Sequence, residues 1–179
     1  MSTPSARMLI YKGKEFACIK IIGRATFASS VDLKTLISEM HQKGFAWFVL
    51  ELTECTLMDS TFLGVLAGFG LKMAGSKPGA VAPMIELMNP NARITGLLES
   101  LGVLHLFKIK QGTPTCVSLE CEGVAHSPTE PSREEVTRAC LEAHETLMEL
   151  NPANVAKFKD VARFMAEDLQ RMKDGTGPA

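Results

Sequence analysis

The sequence predicts an α/β fold, a mixed β-sheet with helices packed on it, followed by an α-helical hairpin. Three observations carry that expectation. Strand-like and helix-like segments alternate through residues 1–121, the pattern of a layered α/β unit. Phe45 to Leu52 is almost continuously apolar, as in a strand buried on both faces rather than one. Beyond residue 131 only helical periodicity remains.

Met8 to Lys12 and Phe16 to Ile22 are short apolar runs joined through Gly13, which predicts a β-hairpin. From Ser30 to Gln42, Val31, Leu33, Leu36, Ile37 and Met40 fall on one helical face, and Gly44 stands where a helix would end. The buried run 45–52 follows, then a polar loop, Thr53 to Thr56, and Leu57-Met58. Asp59-Ser60-Thr61 offers three side chains suited to an N-cap before an apolar helix, Phe62 to Ala74. Gly75 to Gly79 ends that helix, and Ala82 to Met88 is strand-like. Asn89-Pro90-Asn91 starts another helix carrying Ile94, Leu97, Leu98 and Leu101, with Gly102 at its end. Leu104 to Lys110 supplies a last strand.

Residues 122–131 read as a linker, with Gly123, Ser127, Pro128 and Pro131. The second unit, 132–179, opens on a Ser132/Glu135 capping box. Val136, Cys140, Ala143, Leu147 and Leu150 recur at helical spacing until Asn151-Pro152 interrupts. Val155, Phe158, Val161, Ala162, Met165, Leu169 and Met172 continue the stripe, and residues 174–179 form a frayed tail. Two helices bury two such stripes poorly alone, so the hairpin should pack on the α/β unit or on another subunit.

Composition narrows the function. The chain has 179 residues, 46% hydrophobic and 22% charged, with a net charge of -1. That balance suits a globular core and does not suggest a basic nucleic-acid groove. No apolar run approaches the ~20 residues of a membrane span, and residues 1–7 do not read as a secretory signal. A cytoplasmic protein with no membrane partner is expected. The five cysteines are scattered without a Cys-x-x-Cys pair, so neither a metal nor another cofactor is expected. Cys18 and Cys140 read as buried thiols. Gly64, Gly68 and Gly70 fit no phosphate-binding spacing and are better explained by close helix–sheet packing. Ser60 as a catalytic nucleophile would need a base, and nothing in the sequence ties His41, His105 or His126 to it. His144, among acidic neighbours, reads as solvated. The chain is therefore expected not to be an enzyme.

The segment from Phe48 to Gly68, with Asp59, Ser60, Thr61, Leu63 and Gly64, resembles the signature of STAS domains of the anti-sigma factor antagonist family. Asn89 to Arg93, Leu97-Leu98, Leu101-Gly102 and Leu106-Phe107 agree with that family in order and spacing, so the resemblance covers residues 8 to 115. It implies a STAS-like fold and partner switching. Ser60 is where a kinase that is also the anti-sigma factor would place a phosphate, with Thr61 the alternative hydroxyl. A metal-dependent serine phosphatase would remove it. The implied partner surface comprises Asp59, Ser60, Thr61, Phe62, Arg24 and Thr26. Phe62 stands where the family usually has Gly, and could face a partner or enter the core. No acid occupies the place at residues 22–27 where the family has one; Arg24 stands there, as a phosphate ligand or a solvated cation. Ser60 at a helix N-terminus is physically suited to an anion, though the same triplet could simply cap the helix. The alternative reading is a non-switching scaffold or self-assembling subunit, such as a homo-oligomer, using the C-terminal helices.

Overall fold

A computed structural model describes residues 5–74, 84–114 and 123–175, the side chains of 72–74 excepted. Among these residues the fold is the expected α/β layer, built on a mixed seven-stranded sheet. β1 (Arg7–Lys12) and β2 (Phe16–Ala25) form the predicted antiparallel hairpin. Its turn is closed by the Gly13 N–H donating to the Phe16 carbonyl at 2.9 Å. β3 (Trp47–Glu51) lies parallel to β2, and β5 (Met84–Met88) and β6 (Lys108–Lys110) continue the parallel array.

β3 is buried on both faces, as its continuous apolar run requires. Phe48 and Leu50 join the main core with Ile19, Ile21 and Leu87. Val49, on the opposite face, packs with Cys18 and Met88 beneath Tyr11, Phe16 and Trp47. The main core lies between the sheet and three helices: α1 (Phe27–Gln42), α2 (Ser60–Ala74) and α3 (Ala92–Ser100).

The second half of β2 decides where Ser60 sits. A bulge between Gly23 and Arg24 turns the strand away from β3, and Gly23 takes φ +93°, a conformation that favours glycine. Residues 23–25 then pair with β4 (Cys55–Met58), parallel. The chain leaves β4 directly into α2, beside the start of α1.

Several boundaries differ from expectation. Residues 55–58 form a strand, where a polar loop to Thr56 was expected, because the redirected end of β2 supplies its partner. Helix α1 begins at Phe27 rather than Ser30. Leu104–Leu106 is a 3-10 turn, and the last strand starts only at Lys108. A short strand in the linker, β7 (Val124–Ala125), adds to the free edge of β1. The readings at 75–79, at 82–83 and at the end of the tail lie outside the described residues.

Beyond the linker, α4 (Arg133–Leu150) and α5 (Val155–Lys173) form the predicted hairpin around a 3-10 turn, Pro152–Asn154. The Ser132/Glu135 capping box is present in both directions. The hairpin packs on its own domain: Ala143 and Leu147 belong to the main core, with Leu150 and Phe158 against it. Gly64 explains how closely it packs. A Cβ there would lie 2.6 Å from the Ala143 carbonyl oxygen, so the glycine serves a helix–helix approach of α2 to α4, not helix–sheet packing. Cys140 is a buried free thiol as expected, whereas Cys18 is buried but disulfide-bonded. That bond is unusual for the reducing cytosol.

Candidate functional site

The strand-to-helix turn at Asp59 organises the site. The Asp59 N–H donates to the Ala25 carbonyl at 3.0 Å, fixing the turn to β2. Its Oδ1 accepts the Phe62 N–H at 2.8 Å, the bond of an N-cap residue on α2. Its Oδ2 accepts the Phe27 N–H at 2.7 Å, the first amide of α1. Thr26 makes no side-chain cap of its own, so one carboxylate serves two helix N-termini, where its charge is favoured. This long-range cap is why α1 starts three residues earlier than local signals indicate.

Ser60 follows, half-buried, and its hydroxyl points at the C-terminal hairpin. Ser60 Oγ lies 3.0 Å from His144 Nε2. His144 Nδ1 lies 2.7 Å from the Cys140 carbonyl. Since a carbonyl can only accept, Nδ1 carries the proton and Nε2 accepts from Ser60. His144 is only 5% exposed, which corrects the expectation of a solvated histidine. Burial lowers its pKa, with the Cys140 bond and the Asp59 charge opposing the shift. A neutral imidazole is the form that can receive the Ser60 proton. The Phe158 ring, 4.8 Å away between centroids, closes the other side.

A hydroxyl against a neutral imidazole has the make-up of a nucleophile–base pair, so a histidine is tied to Ser60 after all. The Asp59 carboxylate does not orient that histidine: it caps two helices, and the Cys140 carbonyl takes the Nδ1 proton instead. The arrangement keeps the Ser60 hydroxyl directed inward. Among the described residues no cluster of three metal-ligating side chains occurs.

The two residues after Ser60 are deeper than it is. Thr61 is 5% exposed, with Oγ1 3.7 Å from Cys140 Sγ. Phe62 is fully buried in the main core, which decides between its two expected placements. Arg24 is exposed on the bulged end of β2, and Thr26 is half-buried ahead of α1. A cavity of about 550 Å³ opens beside this corner, lined by Phe27, Thr61, Val136, Cys140, Phe164 and Met165 among others. Phe27 and Phe164 are exposed at its mouth.

No family model matches this chain, and no curated protein matches it in sequence. Solved structures do. A protein described as an anti-sigma factor antagonist from Thermotoga maritima superposes with a TM-score of 0.51 at 16% identity, over 62% of this chain and 90% of that one. An anti-sigma factor antagonist from Mycobacterium paratuberculosis gives a TM-score of 0.51 at 14% identity, with the same coverage of each chain. The chain has the fold of the anti-sigma factor antagonists.

More than a third of the chain lies outside each match. The residue that sequence reasoning missed is His144. It stands four after Cys140 and three before Leu147, both on the buried stripe of α4, and that spacing was the available signal.

Proposed function

We propose that the protein is a non-enzymatic regulatory binding module, an anti-sigma factor antagonist controlled by phosphorylation of Ser60. Its partners are a serine kinase that is also the anti-sigma factor and a metal-dependent serine phosphatase, and it works in the cytoplasm to regulate transcription. The observation that carries this reading is a serine hydroxyl directly after the Asp59 cap, at the N-terminus of α2 on an antagonist-type fold. A phosphate adds close to two negative charges at such a position. Asp59, Thr61, Phe62, Arg24 and Thr26 form the ground around it, and the burial of Thr61 favours Ser60 as the modified hydroxyl.

Peptide mass spectrometry of protein from its native cell, with and without stress, should find a phosphate on Ser60 whose occupancy changes with conditions. Ser60→Asp should lose the partner captured by the wild type. Complete coverage of residues 57–72 with no phosphate under any condition would sink the reading.

A second reading is favoured by a specific contact: α4 lies directly on the start of α2. Here the protein is a non-switching scaffold that assembles through its C-terminal helices. Leu147 is a poor probe of this, since it is part of the domain's core. Phe164, 57% exposed on α5, is a better one. Phe164→Glu should abolish assembly without unfolding, and an unchanged sedimentation profile would count against the scaffold.

A further inference from the structure

We propose that the α4–α5 hairpin is a displaceable cover, holding within the chain the surface around Ser60 that a partner helix would otherwise occupy. The inference rests on the reading of Ser60 as the modified residue. Three contacts place α4 on the first turns of α2: Ser60 Oγ to His144 Nε2 at 3.0 Å, Thr61 Oγ1 to Cys140 Sγ at 3.7 Å, and Gly64 against the Ala143 backbone. The side chains α4 presents, Cys140, Ala143, His144 and Leu147, follow the i, i+3, i+4, i+7 spacing by which a helix lies in a groove. A displacing partner is therefore an amphipathic helix with a small residue facing Gly64 and a hydrogen-bond acceptor facing Ser60.

A phosphate on Ser60 would compete with this cover for the space at the hydroxyl. The hydroxyl already touches the imidazole, and the space that a Cβ on Gly64 would need is filled by α4 backbone. The added charge would also stand beside the Asp59 carboxylate, while His144 is held toward its neutral form by burial. Phosphorylation thus requires α4 to move and then keeps it from returning.

The native thiol of Cys140 supplies the test. In the full chain carrying Thr61→Cys, mild oxidation should link residue 61 to Cys140, read by peptide mapping. Phosphoserine installed at position 60 of that variant should slow the link at least ~10-fold, the population change expected of a local opening. Ser60→Ala should leave the rate near that of the parent, since it removes the bond to His144 without adding bulk. A parent that does not cross-link overturns the closed cover, and a rate unchanged by phosphoserine overturns its displacement. A slowed link in a protein that carries no phosphate in its native cell removes the phosphorylation reading alone and leaves the cover standing.

Discussion

The hairpin meets the α/β domain at two seams of different construction. At its turn, Asn154 is fully buried and its Nδ2 donates to the Leu101 carbonyl at 2.9 Å and the Leu147 carbonyl at 2.8 Å. Lys157 Nζ donates to the Ser100 carbonyl at 2.8 Å. Gly102 makes room for Asn151, whose Nδ2 would lie 2.5 Å from a Cβ there. The orphan carbonyls at the end of α3 are thus satisfied by side chains of the hairpin. At Ser60 the seam consists of one hydroxyl–imidazole bond, one weak hydroxyl–sulfur contact and a glycine–alanine approach, beside an open cavity. The first seam is a polar clamp with buried donors; the second is small and incompletely packed, flanked by the Lys34–Glu142 ion pair. A single hairpin can therefore be anchored at its turn and adaptable at its middle.

Leu147, fully buried between the two seams, should dominate the stability of both. Leu147→Ala is expected to destabilise the protein by about 3 kcal/mol, the usual range for a truncated core leucine, measured by urea unfolding. A loss well under ~1 kcal/mol would mean the hairpin does not share the domain's core. The turn clamp comes next. Asn154→Ala removes two buried donors, leaving the Leu101 and Leu147 carbonyls only the Asn151 side-chain and backbone N–H groups, and should cost about 2 kcal/mol. The Ser60 seam should be weaker. A double-mutant cycle with Ser60→Ala and His144→Phe is expected to give a coupling of about 1 kcal/mol. A Ser60 coupling as large as the Asn154 effect would erase the contrast between the seams.

What could be read from the sequence divides along the same physical line. Interactions closed within a few residues were legible: the Ser132/Glu135 box three apart, the Asn91 cap accepting the Ile94 N–H, and the alternating elements up to Met88. Interactions closed across the fold were not. The start of α1 depends on a carboxylate 32 positions away, and β4 is a strand only because the Gly23 bulge brings β2 to it. Gly64 could be recognised as a close-packing glycine, but its partner in α4 could not. His144 was within reach. Its acidic neighbours Glu142 and Glu145 suggested solvent, while its spacing from Cys140 and Leu147 placed it inside. Ser60 itself was singled out by the Asp59-Ser60-Thr61 pattern; that its hydroxyl turns inward could come only from the helix laid over it.

The smallest expected effect separates the seams by protonation. Burial lowers the pKa of His144 below its ordinary value of 6.5, while Asp59, the charged group facing it from α2, pulls the other way and Phe158 on α5 adds no charge. A base whose pKa is lowered on folding binds fewer protons folded than unfolded. Its neutral form supports the docked state fully above pH 6.5, and that support is lost as pH falls through 6.5 toward the lowered value. The wild type should therefore lose stability across that window by more than His144→Phe does, measured as the difference between their urea midpoints at each pH. Asn154→Ala removes only an amide from the clamp and should keep the wild-type slope while starting from a lower stability. If His144→Phe instead retained the full pH slope, the imidazole would not be buried against Ser60, and the adaptable seam would have to be sought elsewhere on α4.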